Sequence, residues 1–373
     1  MAVEVFGHLT HRDESEGHLA KADGIDRDYI IRQAREHEYA GFDGVLVGGG
    51  GDGPDSLQIA AHAVAHTERL NFLVAYRPGL ISPTLAARSY ATLDQFSDGR
   101  IRLHTITGRD RDGQKKYGDP LHKDNLYERT REFIQVVKKA WTEKKGFDYP
   151  GKHYDIQGFA SSIFPVQQPR IPIYFAGNSD EAFPVGAAEA DGYALYGQPL
   201  DFLKHDIKRI HDAARDSGRT DRPRIIVLIR LILGQNDELA WQRAEEIRAA
   251  TLAQARQAEP VHKQWVPAKD GRDASAGDRR QVEANKVSER HDRALWTGLS
   301  GITERGKSTA LVGSPETVVD ALLDYVDAGV STFILDGFNR LRDVPEIGSY
   351  VLPLLRARLA EREAAFPKQA ASN

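Results

Sequence analysis

The stretch LNFLVAYRPGLISPTLAARSYATLDQFSDGRIRLHTITG, residues 70–108, contains one complete unit of the pattern that decides the fold. It opens with an apolar run at 70–76, continues through helical periodicity at 84–97 and ends in a second apolar run at 101–108. Ser82–Pro83 precedes the helical part, and a capping hydroxyl followed by proline is typical of a helix N-terminus. Strand, helix and strand in this order predict two parallel strands with a helix outside the sheet.

The same alternation continues along most of the chain. The other predicted strands are VEVFGHL at 3–9, GVLVG at 44–48, IPIYFAG at 171–177, GYALYG at 192–197, RIIVLIRLILG at 224–234 and STFILDG at 331–337. Helical periodicity also occurs at 27–40 and 55–66, and Ser314–Pro315 is a second predicted cap. Eight candidate strands are what a closed (β/α)8 barrel needs, so we predict an α/β TIM barrel in one domain spanning residues 1–373.

Two polar stretches interrupt the alternation, at 109–125 and at 258–293. Loops of this length inside a compact domain are usually lids or disordered insertions. We interpret 258–293, where proline, glycine and charged residues dominate, as a mobile loop over the mouth of the barrel. A plain disordered insertion is the alternative.

The composition limits the classes of ligand. The chain has 50 basic and 54 acidic residues and a net charge of -4, which provides no basic surface for nucleic acid or for an anionic membrane. It has no cysteine, which excludes disulfides, zinc–thiolate sites and thiol nucleophiles. The start MAVEVFGHLTHRDESEGH lacks the features of a signal peptide, and no apolar run approaches the roughly 20 residues of a membrane span. We therefore expect a cytoplasmic protein that binds small molecules.

The glycine run at 48–53 satisfies the dinucleotide-binding pattern G-x-G-x-x-G after an apolar strand. It follows the second predicted strand, however, and four consecutive glycines satisfy almost any glycine pattern. The alternative is a bare backbone surface at the end of that strand, where a flat ring can approach closely.

Two histidine pairs raise the question of a metal site: His8 with His11, and His62 with His66. Residues three apart on a strand point to opposite faces, and the second pair lies on a predicted outer helix. We therefore expect no metal. His11, just beyond the end of the first strand, lies where barrel enzymes keep catalytic groups.

Arg230 is a lone cation in the apolar run VLIRLIL. A buried guanidinium needs an anionic ligand or a carboxylate partner, and a structural ion pair with a neighbouring strand is the second interpretation. The segments near the last strand add the cations Arg305, Lys307, Arg340 and Arg342. Several cations at one rim suit a phosphate or sulfonate, although each one singly also fits a solvated loop charge.

Several segments together resemble a known family. They are FLVAYRPGLISPTLAARSYATLDQFSDGR at 72–100, ITG at 106–108, LYERTREF at 126–133, GKHYDIQG at 151–158, FPVQQPRIPIYFAGNSDEA at 164–182 and TALVGSPETVVDALLDYVDAGVSTFILDG at 309–337. In this order they resemble the alkanesulfonate monooxygenases of the bacterial luciferase-like superfamily, with 258–293 dissimilar. The resemblance implies a homo-oligomer, dimer or tetramer. It also implies an enzyme that takes reduced FMN from a separate NAD(P)H-dependent flavin reductase and uses dioxygen to convert a sulfonate into an aldehyde and sulfite.

The resemblance also assigns site residues. It places the flavin against Ala75, Thr107, Tyr127, Asn178 and Ser179, and the catalytic groups at His11, Arg230 and Arg305. It places the substrate against Gly53, Tyr196, Phe338 and Arg340. Ser179 is predicted to begin a helix, whose first amides and hydroxyl then form a phosphate seat. The family commonly has a strained peptide beneath the flavin ring, at Val74, Ala75 and Tyr76.

The sequence also departs from the family. Gly53 or a neighbour stands for a cysteine, Ile232 for a histidine, Phe338 for a tyrosine and Tyr196 for a tryptophan, while Arg305 is offset by one residue. Losing a histidine and a tyrosine hydroxyl removes groups suited to proton transfer. A straight-chain alkanesulfonate substrate is therefore not implied. An F420-dependent oxidoreductase on the same barrel and a non-catalytic flavin-binding protein are the alternatives.

Overall fold

The computed structural model describes residues 3–15, 18–20, 23–48, 53–108, 117–119, 121, 123–257, 276–300, 302 and 309–365. Arg305, Lys307, most of the glycine run and the segment 258–275 lie outside the described residues.

Parallel strands close into a barrel. The strands of the described chain are β1 (Glu4–Leu9), β2 (Gly44–Val47), β3 (Asn71–Tyr76), β4 (Ile101–Ile106), β5 (Phe147–Pro150), β6 (Asp155–Phe159), β7 (Ile173–Ala176), β8 (Gly192–Tyr196), β9 (Arg224–Leu233), β10 (Arg290–His291), β11 (Leu295–Trp296), β12 (Ala310–Gly313) and β13 (Val330–Asp336). The barrel order is β1-β2-β3-β4-β7-β8-β9-β13, and β13 pairs back onto β1. The predicted (β/α)8 barrel and its eight strands are confirmed.

Helices surround the barrel. They are α1 (Arg27–Tyr39), α2 (Ser56–Val64), α3 (Pro83–Phe96), α4 (Lys123–Thr142), α5 (Ala182–Glu189), α6 (Leu200–Asp216), α7 (Asp237–Gln257), α8 (Ala276–Val287), α9 (Pro315–Asp327), α10 (Arg340–Glu346), a π-helical turn (Ile347–Val351) and α11 (Leu352–Ala365). Both predicted caps are confirmed: the Ser82 hydroxyl accepts from the amide of Leu85, and the Ser314 hydroxyl from that of Thr317, each at 3.3 Å. Within the described ranges, no helix is long and apolar enough to cross a membrane.

Two apolar layers hold these elements together. The residues that fill the barrel are Phe6, Leu46, Leu73, Ala75, Tyr174, Ala194, Ile226, Leu228 and Ile334. A larger cluster, including Val45, Phe72 and Phe333, packs the outer faces of the strands against the helices. Because side chains alternate along a strand, each barrel strand contributes to both layers.

The prediction that 258–293 is a loop is wrong for its second half. Residues 276–287 form α8, in which Gln281 and Ala284 are buried, and Arg280 pairs with the buried Asp206 of α6. Gln281 also donates to the carbonyl of Gly197, just after β8, at 3.4 Å. This helix buries only a narrow stripe, so its mostly polar sequence hides its periodicity. Similarly, α4 begins at Lys123, inside the predicted loop 109–125.

A polar network fills the N-terminal end of the barrel. Arg102 Nη2 donates to Glu4 Oε1 at 2.7 Å, Arg224 Nη1 lies 2.8 Å from Glu4 Oε2, and Arg102 Nη1 donates to the Tyr174 hydroxyl at 2.9 Å. Burial raises the pKa of Glu4, but hydrogen bonds and charges from Arg102 and Arg224 outweigh it and hold the pKa below 4.5. Ligands are therefore expected at the opposite, C-terminal end, as in other TIM barrels.

We expect Glu4→Gln to lower the free energy of unfolding by about 2 kcal/mol at pH 7, because two partly buried guanidinium groups lose their carboxylate. Since the folded-state pKa lies below 4.5, this contribution is present above about pH 4.5 and is lost as the pH falls through the lowered pKa. Urea unfolding at several pH values measures it, with the exposed Glu143→Gln as control. An equal loss in both variants would contradict the role of the network.

Candidate active site

A buried cluster of charged groups lies at the C-terminal end of the barrel interior, where β1 and β9 flank β13. Asp336 is the last residue of β13, and His8 lies one residue before the end of β1. His8 Nδ1 is 3.0 Å from Asp336 Oδ2, and Arg340 Nη2 donates to the same oxygen at 2.7 Å. Because His8 is two residues beyond Phe6, which fills the barrel, strand alternation turns its ring inward.

The Asp336 carboxylate is held in its ionised form. Burial raises its pKa, but the charges of Arg340 and His8, a hydrogen bond from His8 and the charge of Arg230 hold the pKa well below its usual range. The amide of Gly337 also donates to its second oxygen at 2.9 Å. A buried carboxylate with these donors stays negative at physiological pH.

Arg340 connects this carboxylate to the rest of the barrel mouth. It is the first residue of α10, where the side chain of Asn339 caps the helix by accepting from the amide of Arg342 at 3.3 Å. Its Nη1 donates to the carbonyl oxygen of Glu14, in the segment after β1, at 3.0 Å. Arg340 is 3% exposed, so the sequence-based prediction that it contacts the substrate directly stays a prediction.

Arg230 lies opposite Asp336 in the parallel pairing of β9 with β13. It is 1% exposed, and its Cζ atom lies 3.9 Å from the centre of the Phe338 ring, which covers it. The charge of Arg230 also helps to lower the pKa of Asp336, so both groups belong to one buried charged cluster beneath the mouth.

The residues predicted to hold the flavin lie at the same end of the barrel. Ser179, after β7, donates from its hydroxyl to that of Tyr127 on α4 at 2.9 Å. One turn further along α4, the Thr130 hydroxyl donates to that of Thr107, which follows β4, at 3.2 Å. The structure therefore brings Tyr127 and Ser179 together and ties Thr107 to the same helix. Asn178, next to Ser179, is half-buried.

Ala75 lies in the wall of the barrel interior near the end of β3, and its carbonyl accepts from the Ser56 hydroxyl at 2.5 Å. The cis peptide bond of the described chain is at Gln168–Pro169, and the bonds from Val74 to Tyr76 are trans. The small Ala75 side chain is buried among the residues that fill the barrel.

The prediction that Ser179 begins a helix is wrong. Helix α5 begins at Ala182, and its N-cap Glu181 makes no capping bond through its side chain. Ser179 belongs to a preceding turn, which is closed by the bond from the Ala182 amide to the Ser179 carbonyl at 3.0 Å. A role for the Ser179 hydroxyl in binding a phosphate stays a prediction.

The other predicted residues are spread around the mouth. His11 lies in the half-buried segment after β1, where its carbonyl accepts from the Asp26 amide at 3.0 Å. Gly53 is exposed before α2, and Tyr196 packs against the interior cluster at the end of β8. Arg305 lies outside the described residues.

The sequence patterns alone do not identify Asp336 as the partner of His8. The even spacing of His8 from Phe6 is the signal that its ring points into the barrel. His104 on β4 is buried on the same inner face as Arg102. Among the residues that the structure describes, no three histidine or acidic side chains group as metal ligands.

We expect Arg340→Met to lower the free energy of unfolding by about 3–5 kcal/mol, because it removes the direct guanidinium partner of a buried carboxylate. Arg342→Met, two residues along the same helix, is the matched control; its side chain is 56% exposed, so its pair with Glu346 is worth about 1 kcal/mol or less. Urea unfolding followed by circular dichroism compares the two. Similar losses would show that Asp336 does not depend on Arg340.

Comparison with known proteins agrees with this architecture. Riboflavin lyase, solved with a modified FMN and riboflavin, superimposes with a TM-score of 0.74 at 19% identity over 96% of this chain and 92% of its own. EDTA monooxygenase from Chelativorans sp. BNC1 has a TM-score of 0.74 at 16% identity, over 100% and 97%. An F420-dependent secondary alcohol dehydrogenase with an F420–acetone adduct has a TM-score of 0.68 at 16% identity, over 95% and 100%.

At these identities the likeness shows a shared fold, and proteins with this fold have been solved with a modified FMN and with an F420 adduct. The family is decided by a different match, because residues 5–332 fit the family model described as luciferase-like monooxygenase. That match spans the barrel from β1 into β13, and the protein therefore belongs to the luciferase-like monooxygenase family.

Proposed function

We propose that the protein is a two-component monooxygenase that uses dioxygen and reduced FMN from a separate NAD(P)H-dependent flavin reductase. Its proposed substrate is a small anionic compound of the organosulfonate class, released as sulfite and an aldehyde. The observation that carries the proposal is the charge at the barrel mouth, where His8 and Arg340 contact the carboxylate of Asp336 and the charge of Arg230 also acts on it. The resemblance to the alkanesulfonate monooxygenases adds a homo-oligomer, dimer or tetramer.

The described residues fit a flavin. The hydroxyls of Thr107 and Tyr127 each accept a hydrogen bond and would donate their own protons to a phosphate, while Ser179 holds the Tyr127 hydroxyl in place and Asn178 is its neighbour in sequence. Burial raises the pKa of Tyr127, more than the bond from Ser179 lowers it, so the phenol stays a neutral donor. Ala75 offers a small side chain where a flat ring would lie. Bound reduced FMN would supply the two electrons that activate dioxygen.

The mouth also fits an anion that carries an apolar group. Guanidinium groups bind sulfonate oxygens through charge-assisted hydrogen bonds. The low dielectric around the buried arginines strengthens the interaction of their charge with an anion. Beside them, Phe338 and Ile232 pack in an apolar cluster with Trp296 and Leu299. An apolar wall next to a cationic one favours an organic sulfonate over an inorganic anion.

We expect sulfite release when the protein is supplied with a flavin reductase, NAD(P)H and a panel of short-chain, aromatic and sugar sulfonates. Arg230→Met should lower turnover about 100-fold, or about 3 kcal/mol, if the positive field stabilises the anionic reacting state. Its melting temperature should change little, since Asp336 keeps its bonds to His8 and Arg340. Arg222→Met, at an exposed position before β9, is the control.

A destabilised Arg230→Met protein that keeps its specific activity would assign Arg230 to a structural ion pair and remove it from the site. Absence of sulfite from every sulfonate would reject the substrate class. Turnover of any sulfonate would reject a non-catalytic flavin-binding protein.

We expect the purified protein to contain little flavin and to bind reduced FMN more tightly than oxidised FMN, because flavin enters as a substrate in two-component enzymes of the resembling family. Anaerobic titration, followed by quenching of the four tryptophans, measures both affinities. Tyr127→Phe should weaken binding about fivefold, or about 1 kcal/mol, through the loss of one hydroxyl. Equal affinity for the two redox states, or tight binding of F420 in place of FMN, counts against the proposal.

A further inference from the structure

We propose that Ser56 and Tyr90 are positioning residues for the flavin: they bond the last carbonyl groups of β3 and thereby favour binding of the reduced ring over the oxidised one. The inference rests on the proposed flavin binding and deepens it, because it assigns the redox preference to named side chains. Neither residue belongs to the set that the family resemblance places at the site.

The first observation is a pair of hydrogen bonds at the end of β3. The Ser56 hydroxyl donates to the carbonyl oxygen of Ala75 at 2.5 Å, and the Tyr90 hydroxyl donates to that of Val74 at 2.9 Å. Ser56 is 5% exposed and Tyr90 is 1% exposed, so both bonds are shielded from water. Two consecutive carbonyl groups of one strand thus each have a buried side-chain donor.

The second observation is the side from which the donors come. Ser56 is the first residue of α2, and Tyr90 lies in the middle of α3. Both helices belong to the layer outside the barrel, while the Ala75 side chain lies among the residues that fill the interior. The two hydroxyls therefore bond the carbonyl oxygens from the side away from the interior. The Ala75 methyl group is what β3 presents to the interior at this level.

The strand register explains why a side-chain donor is needed at Ala75. The pairing of β2 with β3 ends at Val47 and Val74, so Ala75 lies one residue beyond it. Beyond the last pair, the regular ladder of amide donors from β2 stops. A buried carbonyl group without a donor is costly. The Ser56 hydroxyl, from the helix that follows β2, supplies a donor where this ladder ends.

These bonds change the charge that the end of β3 presents to a flat ring. A carbonyl oxygen carries a partial negative charge, and a donated hydrogen bond offsets part of it. Reduced FMN near neutral pH carries a negative charge in its ring system that oxidised FMN lacks, and nearby protein charge tunes that ring. Carbonyl oxygens that are bonded from the outer layer repel the reduced ring less, whereas the neutral oxidised ring is affected little. Ser56 and Tyr90 therefore favour the reduced form.

The other interpretation is that the two hydroxyls only tie α2 and α3 to the sheet. Removing such a tie would weaken the binding of both redox forms of FMN to a similar extent and would lower the stability of the fold. The ratio of the two affinities, rather than either affinity alone, separates the two interpretations.

The first experiment observes the Ala75 carbonyl group in the whole protein. Ala75–Tyr76 is the single Ala–Tyr pair of the chain, so labelling with ¹³C-carbonyl alanine and ¹⁵N-tyrosine gives one carbonyl-to-amide NMR signal. We expect Ser56→Ala to shift this carbonyl resonance upfield, because the oxygen loses a donor, and Ser56→Thr to leave it nearly unchanged. Reduced FMN, added without oxygen, should move the same signal in wild-type protein. No shift in Ser56→Ala, or no response to reduced FMN, overturns the proposal.

The second experiment is an anaerobic titration of the variants with reduced and with oxidised FMN. Ser56→Ala should weaken the binding of reduced FMN about fivefold, while the binding of oxidised FMN changes less than about twofold. Tyr90→Phe should act in the same direction through the Val74 carbonyl, and it tests the proposal even where Ser56→Ala does not fold. Ser56→Thr should keep the wild-type ratio of affinities. Equal weakening of both forms in the two hydroxyl-deleting variants overturns the proposal.

Two buried hydroxyls elsewhere provide matched controls. Ser97, at the end of α3, donates to the carbonyl of Asp94 at 3.1 Å, and Tyr325 donates to that of Gln198 at 2.7 Å. Neither carbonyl belongs to β3. Ser97→Ala and Tyr325→Phe should leave the ratio of the two affinities unchanged. A changed ratio in both controls would overturn the assignment to the end of β3.

The measurements separate the failure of this inference from that of the proposed function. If the ratio depends on Ser56 and Tyr90 but no sulfonate releases sulfite, the inference stands and the sulfonate proposal fails. If sulfite is released while wild-type protein and both variants have the same ratio, the function stands and the inference is rejected. A protein that binds neither form of FMN contradicts both.

Discussion

The pairing of β13 with β1 on one side and with β9 on the other closes the barrel, and the whole candidate site depends on this closure. Residues from the first, seventh and last barrel strands become neighbours only when the ring is complete. More than 300 residues separate His8 from Asp336 along the chain. The strand register nevertheless brings Arg230 opposite Asp336 and places His8 within hydrogen-bond distance of Asp336. If the pairing register of one of these strands shifted by one residue, its side chain in the site would point to the outer layer instead.

The two ends of the barrel interior use charge differently. At the N-terminal end, Glu4 receives bonds from Arg102 and Arg224, and this network fills the space between the strands. At the C-terminal end, Asp336 is also paired, with His8 and Arg340. The first network stabilises the closed barrel. The second keeps a buried carboxylate ionised beneath the mouth, because the charges around it lower its pKa.

The structure shows the surroundings of two residues at which the sequence departs from the alkanesulfonate monooxygenases. Ile232 and Phe338, which replace a histidine and a tyrosine, pack with Trp296 in an apolar cluster, and the Phe338 ring covers Arg230. Proton transfer is therefore not expected from those two positions. The apolar cluster that contains them lies beside the charged groups at the barrel mouth.

Local patterns along the chain are enough to predict the eight strands, the capped helices and the barrel, because burial on both faces and capping chemistry act over a few residues. They are not enough to predict helix α8, because its buried face consists of Gln281 and Ala284 and gives no apolar periodicity in the sequence. They also do not predict the turn that separates Ser179 from α5. Nor do they show that Asp336 is the partner of His8 and Arg340. That contact depends on the register and closure of distant strands, which no short stretch of sequence encodes.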